Sequence, residues 1–223
     1  NNEICILTAV ERATGAADAF LRCNKSTCIL VSFISQMLWS IYIFISLKLV
    51  HCDLYLKNIL YKDTDCLSYS FVVNGKKYTF PTGKYMFMVA DYGISHCEII
   101  NKSKRPDIIR NRDQKDIDDI ILCTKDHILE YNLPQFSFDL ITLFLCLKSL
   151  PILTRSDVLS DFVYGAIDQI NEKKDTLHSQ EGAKNLVLHL IQQLQSLLPP
   201  NFKPLNSTEF HYDQTFINQV CER

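Results

Sequence analysis

Residues 28–50 form the first long hydrophobic segment of the chain and predict a helix. Ser26 or Thr27 can cap its start, because a side-chain oxygen there accepts a hydrogen bond from the first helical turn. Before it, residues 3–8 are an apolar run typical of a short strand, and residues 10–18 have the charges, glycine and small residues of a connector. The first 50 residues thus predict a strand, a connector and one long apolar helix.

The long apolar helix has two alternative environments. Its 23 residues could cross a lipid bilayer, which takes about 20 apolar residues. Ser32, Gln36 and Ser40 recur every four residues, however, and form a polar stripe along the helix. A polar motif also follows directly from His51. We therefore expect a buried core helix and no membrane association.

After this helix the pattern changes to strands. The apolar, aromatic runs at residues 69–73 and 78–80 flank Asn74-Gly75, and Asn-Gly between two such runs is a strong signal for a β-hairpin. Residues 85–90 are aromatic and β-branched and predict a third strand. The segment as a whole is expected to be a hairpin followed by one more strand.

The rest of the chain is predicted to be mainly helical. Residues 136–150 predict a strongly apolar helix, and residues 156–170 and 181–198 predict two amphipathic ones, the second stopped by Pro199. Residues 101–126 carry many charges of both signs, as a solvated surface or a substrate-facing lip would. Four aromatic residues of the tail are expected to pack on the body: Phe202, Phe210, Tyr212 and Phe216. The predicted fold class is α+β, mainly α-helical.

Composition and charge narrow the functional class. Hydrophobic residues make up 47% and charged residues 22% of the 223 residues, as in a globular protein. The net charge of −2 at pH 7 argues against direct nucleic-acid binding, since proteins of that class are usually strongly basic. The nine cysteines show no C-x-x-C spacing, so we expect reduced thiols and an intracellular protein, nuclear or cytoplasmic.

Three polar residues stand out as candidates for chemistry. Asp53 and Asn58 lie in the run HCDLYLKNIL at residues 51–60, and Asp91 begins the triplet D-Y-G. Phosphoryl transfer needs these groups: one carboxylate for the substrate hydroxyl, and an amide and a second carboxylate for magnesium. The compound spacing is far more specific than a lone H-x-D would be.

The order of helix, H-x-D loop, hairpin, D-Y-G and helix resembles the C-terminal lobe of the protein kinases, and haspin-like serine/threonine kinases most of all. Asp53 and Asp91 are 38 residues apart, where ordinary kinases have roughly half that separation. Residues 69–81 look like the hairpin insert of the haspin family, and Tyr92 stands where that family has Tyr. Haspin itself has Thr at the position of Gly93.

The resemblance covers residues 4–150 and implies a domain organisation. Residues 1–18 would be the end of the N-lobe and the hinge, and residues 19–223 a kinase-like C-lobe with a β-hairpin insert between catalytic loop and D-Y-G turn. A glycine-rich loop and a strand lysine do not precede Ile4, and the chain starts without Met. We therefore expect the missing N-lobe upstream in the same polypeptide.

The resemblance also implies roles for individual residues. Asp53 would accept or orient the proton of the substrate hydroxyl, and Lys57 would neutralise the transferred phosphate. Asn58 and Asp91 would hold Mg²⁺, with Asn58 also bonded back to the Asp53 loop. Leu60 would form the floor under the adenine ring of ATP.

Other residues would support or extend this site. Those implied to hold the loops in place are His51, Tyr92, Gly93 and Asp139. Asp139 resembles the buried helix aspartate that accepts backbone N–H groups from the catalytic loop. Ala9 and Glu11 lie in the segment that resembles the adenine-binding hinge.

One departure from the family pattern affects specificity. Serine/threonine kinases usually place Lys two residues after the catalytic Asp, whereas this chain has Tyr55 there. Lys57 stands at the fourth position, where tyrosine kinases place their cation. The class of hydroxyl therefore stays open between serine/threonine and tyrosine.

The expected function is an ATP-dependent serine/threonine protein kinase of haspin-like type that uses ATP and Mg²⁺. Its partner would be a protein substrate, for which a basic, histone-like tail is one candidate. The alternative is a catalytically inactive kinase-like scaffold, or a structural or virion protein, that uses the C-lobe as a binding surface. A small-molecule phosphotransferase shares the H-x-D-x-x-x-x-N loop and is a third reading, which the long hairpin disfavours.

Overall fold

The computed structural model describes residues 12–92, 95–97, 135–199, 202 and 207–211. Several expectations lie outside these residues: the strand at residues 3–8, the site residues Ala9, Glu11 and Gly93, the charged segment 101–126, and Tyr212 and Phe216 of the tail. The described part has the α+β architecture expected from the sequence.

Five α-helices are found in the described part of the chain. In chain order they are α1 (Ala17–Cys23), α2 (Thr27–Ser46), α3 (Phe138–Lys148), α4 (Asp157–Glu172) and α5 (Gln180–Ser196). The helices predicted at residues 136–150, 156–170 and 181–198 are confirmed as α3, α4 and α5, with each end within two residues of its expected place.

Eight strands of the described residues form three small sheets. They are β1 (Gly15–Ala16), β2 (Leu49–Val50), β3 (Ile59–Asp63), β4 (Ser68–Val73), β5 (Lys76–Pro81), β6 (Tyr85–Val89), β7 (His96–Cys97) and β8 (Ser207–His211). The sheet orders are β1-β3-β6, β2-β7 and β5-β4-β8. All pairs are antiparallel except β4 with β8, which is parallel.

Helix α2 is the central element of the core. Its start is capped by Ser26, whose hydroxyl accepts the N–H of Ile29 at 3.4 Å. The expected end at Val50 is wrong, because the helix stops at Ser46 and Lys48 takes a positive φ of 51°. Gln180 of α5 donates to the last carbonyls of α2, those of Ile45 and Ser46.

By length and hydropathy, α2 also qualifies as a membrane span. In the folded chain, however, 72% of its most apolar 18-residue window is buried. The helix packs against α5, β5, β6 and α3, so protein covers it on several sides. This packing is the arrangement expected of a buried core helix.

The polar stripe on α2 faces the edge strand β6. Gln36 donates from Nε2 to the carbonyl oxygen of Tyr85 (3.1 Å) and accepts the N–H of Phe87 at Oε1 (2.8 Å). One helical turn before Gln36, Ser32 donates to the carbonyl oxygen of Thr82 (2.8 Å), which precedes β6 in the chain. Because β6 is the last strand of its sheet within the described part of the chain, the Gln36 amide supplies the donor and acceptor that a neighbouring strand would otherwise provide.

Gln36→Leu should lower the free energy of unfolding by about 2–4 kcal/mol. The substitution removes the hydrogen-bond partner of the Phe87 N–H and of the Tyr85 carbonyl, and both groups are largely buried. Urea denaturation measures the change. Ser40→Ala on the same stripe is the control: among the described residues its hydroxyl bonds only the Gln36 carbonyl of its own helix, so we expect a change below about 0.5 kcal/mol. Equal losses in both variants would show that Gln36 does not satisfy the strand edge.

The predicted hairpin is confirmed as β4 and β5. Asn74 and Gly75 both have positive φ, 51° and 74°, which a two-residue turn of this kind requires. Trp39 of α2 stacks on Phe71 of β4 with ring centroids 4.1 Å apart, which fixes the hairpin to the core. The tail returns as β8 beside β4, with Phe210 opposite Phe71.

The connector expected at residues 10–18 is corrected by the structure. From Gly15 onward the chain forms β1 and then α1. Pairing with β3 defines β1, and Leu21 of α1 is buried while Phe20 stacks on Tyr61 at 4.2 Å. Partners distant in sequence thus determine these elements, which their own composition does not predict.

Candidate functional site

Strands β3 and β6 bring Asn58 and Asp91 to the same end of one strand pair. The register runs from Ile59 opposite Val89 to Asp63 opposite Tyr85. It continues beyond the strands, because the N–H of Ala90 donates to the carbonyl oxygen of Asn58 at 2.9 Å. Asp91 follows directly and has a positive φ of 60°, so the chain turns sharply at this carboxylate.

The side chain of Asn58 is fixed by Asp53. Its Nδ2 donates both to the backbone carbonyl of Asp53 (2.9 Å) and to the carboxylate Oδ2 (2.7 Å). Both partners are acceptors, so the amide nitrogen must face them and Oδ1 must point the other way. The 3-10 turn Leu56–Asn58 makes this closure possible, as the Asn58 N–H donates to the Tyr55 carbonyl at 2.9 Å.

Asp139 holds the chain just before Asp53. It lies buried in the first turn of α3, and its two oxygens accept the N–H groups of His51 (2.6 Å) and Cys52 (3.0 Å). Cys52 has a positive φ of 67°, a backbone conformation that these two bonds help to maintain. Burial raises the pKa of Asp139 to about 6, while the two N–H donors act in the opposite direction.

His51 connects the Asp53 loop to the strand that leads to Asp91. Its Nδ1 accepts the N–H of Asp53 at 3.3 Å, which leaves the proton on Nε2 to be donated to the Ala90 carbonyl at 3.0 Å. Burial lowers the pKa of His51, although the Ala90 carbonyl and the nearby charges of Asp53 and Asp91 raise it. The neutral ring therefore accepts a hydrogen bond from the Asp53 loop and donates one to the strand end before Asp91, and so connects the two.

The segment after Asp91 returns to the strand before His51. Strand β7 pairs with β2, with His96 opposite Val50, and the Ser95 hydroxyl donates to the His51 carbonyl at 3.1 Å. The ring of Tyr92 packs edge-on against His51 with centroids 4.9 Å apart, but 48% of the residue is exposed. The chain is therefore held in place both before and after Asp53, and both before and after Asp91.

The remaining candidate residues differ in exposure. Lys57 is exposed on the 3-10 turn directly before Asn58, whereas Tyr55 is buried in the core. Leu60 is partly exposed on β3. Tyr55, two residues after Asp53, therefore points inward, and Lys57 is the cation of this loop that faces solvent.

Asn58 and Asp91 suit magnesium better than a softer metal. The described residues contain no group of three or more His, Cys, Asp or Glu side chains that could hold a metal. Mg²⁺ prefers oxygen donors, keeps several waters and often takes only one or two protein ligands. The Oδ1 of Asn58, which faces away from Asp53, and the carboxylate of the exposed Asp91 fit that requirement.

Two contributors to the site carry no signal in the sequence. The Ala90 carbonyl receives the His51 ring, and Ser95 bonds back to the His51 backbone. A backbone carbonyl has no sequence signature, and an isolated Ser after D-Y-G is common in turns. Ala9, Glu11 and Gly93 lie outside the described residues.

No family model matches the chain, and a search of curated proteins found no significant similarity.

Proposed function

We propose that this chain carries the catalytic loop and metal-binding turn of an ATP- and Mg²⁺-dependent serine/threonine protein kinase of haspin-like type. The observation that carries the proposal is the pair of hydrogen bonds from Asn58 to Asp53, made at the end of the strand pair where Asp91 also lies. Two carboxylates and an outward amide oxygen thereby share one edge of the fold. This is the set of groups that phosphoryl transfer requires.

Asp53 has the role of receiving or orienting the proton of the substrate hydroxyl. Its carboxylate is held by Asn58, and its backbone N–H is bonded to His51, so its position is defined before substrate arrives. Positioning of this kind matters because phosphoryl transfer depends mainly on alignment and charge stabilisation.

Asn58 Oδ1 and the Asp91 carboxylate would hold the magnesium ion. When bound, Mg²⁺ neutralises the charge on the phosphate oxygens. Asp53 orients the Asn58 amide, and the adjoining strand register places Asp91. The three residues therefore act as a unit, in which Asp53 both faces the acceptor and orients a metal ligand.

Lys57 is the cation we assign to the transferred phosphate. Lys57 is exposed and directly precedes Asn58, whereas the side chain of Tyr55 is buried in the core. The buried Tyr55 is also the observation that favours the second candidate, a kinase-like scaffold without turnover. It stands at the sequence position, two residues after Asp53, where the usual lysine would be, and its burial leaves that position without a cation for the phosphate.

Nucleotide binding separates these two candidates. Mg-ATP at 100 times its dissociation constant should stabilise the full-length protein by about 2.7 kcal/mol and raise its melting temperature by several degrees. Asp91→Asn should remove most of the part of this shift that depends on Mg²⁺. Asp63→Asn, at the opposite end of the same strand pair, should retain it.

A scaffold would show no shift with millimolar Mg-ATP, and that result would defeat the kinase proposal. A small-molecule phosphotransferase would show the shift but would phosphorylate small acceptors in preference to proteins. Rates with peptide and small-molecule acceptors distinguish it from a protein kinase.

A further inference from the structure

The peptide group between His51 and Cys52 is bonded at both ends by side chains from distant parts of the chain. Its carbonyl oxygen accepts the Ser95 hydroxyl at 3.1 Å, and its N–H donates to Oδ1 of Asp139 at 3.0 Å. A peptide group is planar, so two bonds at its opposite ends fix how it is turned about the chain. Asp53 is the next residue, and its direction therefore depends on both bonds.

The Ser95 hydroxyl is itself held in place. The Ser95 N–H donates to the carbonyl oxygen of Tyr92 at 3.1 Å, and Tyr92 directly follows Asp91. On its other side Ser95 is followed at once by β7, which pairs with β2. Ser95 is also half-buried, which limits the competition from water for the His51 carbonyl. The hydroxyl is thus a fixed donor.

Ser95 makes a second connection between the two halves of the candidate site. The first is the His51 ring, which joins the Asp53 N–H to the Ala90 carbonyl, directly before Asp91. The second runs from the segment after Asp91, through the Ser95 hydroxyl, to the His51 carbonyl. Among the described residues no other donor to that carbonyl is found. Loss of the hydroxyl would therefore free one end of the peptide group before Asp53 and leave the β3–β6 strand pair intact.

We infer that Ser95 is a positioning residue, which acts through the His51 carbonyl on the orientation of the Asp53 carboxylate; this inference rests on the proposed phosphotransfer function. The Ser95 hydroxyl donates to the His51 backbone and not to Asn58 or Asp91, the residues assigned to Mg²⁺. Nucleotide binding should therefore depend little on Ser95. The transfer step should depend on it, because that step needs the acceptor and the general base to be aligned.

The test compares two substitutions of nearly equal shape in the full-length protein, Ser95→Thr and Ser95→Val. Threonine keeps the hydroxyl, and valine has a methyl group in its place. The reaction measured is the hydrolysis of Mg-ATP to ADP and phosphate, because water then takes the place of the acceptor hydroxyl and no protein substrate has to be known. Ser95→Val should lower kcat roughly tenfold with the KM for Mg-ATP within about twofold of wild type, whereas Ser95→Thr should keep at least about a third of the rate.

Amide hydrogen exchange gives a readout that needs no activity. The N–H groups of Cys52 and Asp53 should exchange roughly fivefold faster in Ser95→Val than in Ser95→Thr, because their segment opens more easily when one hydrogen bond is lost. Ser95→Ala is the second variant should Ser95→Val fail to fold, with the same expected losses.

Ser32→Ala provides a matched control. The Ser32 hydroxyl also donates to a backbone carbonyl far along the chain, that of Thr82 at 2.8 Å, but it lies outside the candidate site. The substitution should leave kcat, and the exchange of the Cys52 and Asp53 N–H groups, within about twofold of wild type.

Equal kcat values for Ser95→Thr and Ser95→Val, with Mg-ATP still hydrolysed by the wild type, would overturn this inference and leave the proposed function standing. A raised KM for Mg-ATP at unchanged kcat would also overturn it, since Ser95 would then act on nucleotide binding. Failure of the wild type to hydrolyse Mg-ATP would count against the proposed function. Faster exchange in Ser95→Val would in that case still support the hold of Ser95 on the Asp53 loop, and equal exchange would remove both.

Discussion

Asp53→Asn in the full-length protein should reduce phosphate transfer from ATP by roughly 10²- to 10⁴-fold, the range that a positioned general base contributes. The substitution is informative because asparagine preserves the shape of the side chain. Its Oδ1 can still accept the hydrogen bond from Asn58 Nδ2, so the metal ligand keeps its orientation. The remaining amide NH₂ cannot accept a proton from the substrate hydroxyl.

Initial rates on a protein substrate at saturating Mg-ATP measure this loss, and the dissociation constant of Mg-ATP should stay within about threefold of wild type. Asp63→Asn makes the same chemical change at the far end of β3 and should leave the rate unaltered. Activity of Asp53→Asn within tenfold of wild type would refute the assigned role. An equal fall in both variants would indicate a loss of folded protein instead.

Local sequence patterns predict the elements whose stability is local. A two-residue hairpin turn requires positive φ at both residues, and Asn and Gly adopt it readily, so the Asn74-Gly75 pair alone predicts the hairpin. The three later helices follow from hydrophobic periodicity and from the stop at Pro199. The end of α2 does not, because it depends on Gln180, which lies in a different helix and caps its last carbonyls.

The candidate site shows the same division. The spacing of Asp53, Asn58 and Asp91 predicts their chemistry, since few other functions need these groups at these separations. Their relative placement depends on the β3–β6 register and on the His51 ring, whose partners are backbone groups without a sequence signature.

Asp139→Ala should destabilise the fold by roughly 2–5 kcal/mol, because it leaves the buried N–H groups of His51 and Cys52 without an acceptor. Chemical denaturation measures the loss. Asp157 provides a matched control, since it also lies in the first turn of a helix but is exposed. Asp157→Ala removes only the interaction with the helix dipole and should cost less than about 1 kcal/mol. Equal losses would show that the hydrogen bonds to the Asp53 loop contribute little.

The stability difference between wild type and Asp139→Ala should also depend on pH. Burial raises the pKa of Asp139 from 3.8 to about 6, so between these values the folded protein binds a proton that the unfolded chain does not. The contribution of Asp139 to stability is then larger at low pH and falls as pH rises towards 6. The wild type should thus gain roughly 1 kcal/mol over Asp139→Ala between pH 7 and pH 5. A difference that shrinks on acidification would mean that the hydrogen bonds to His51 and Cys52 outweigh burial and hold the carboxyl pKa low.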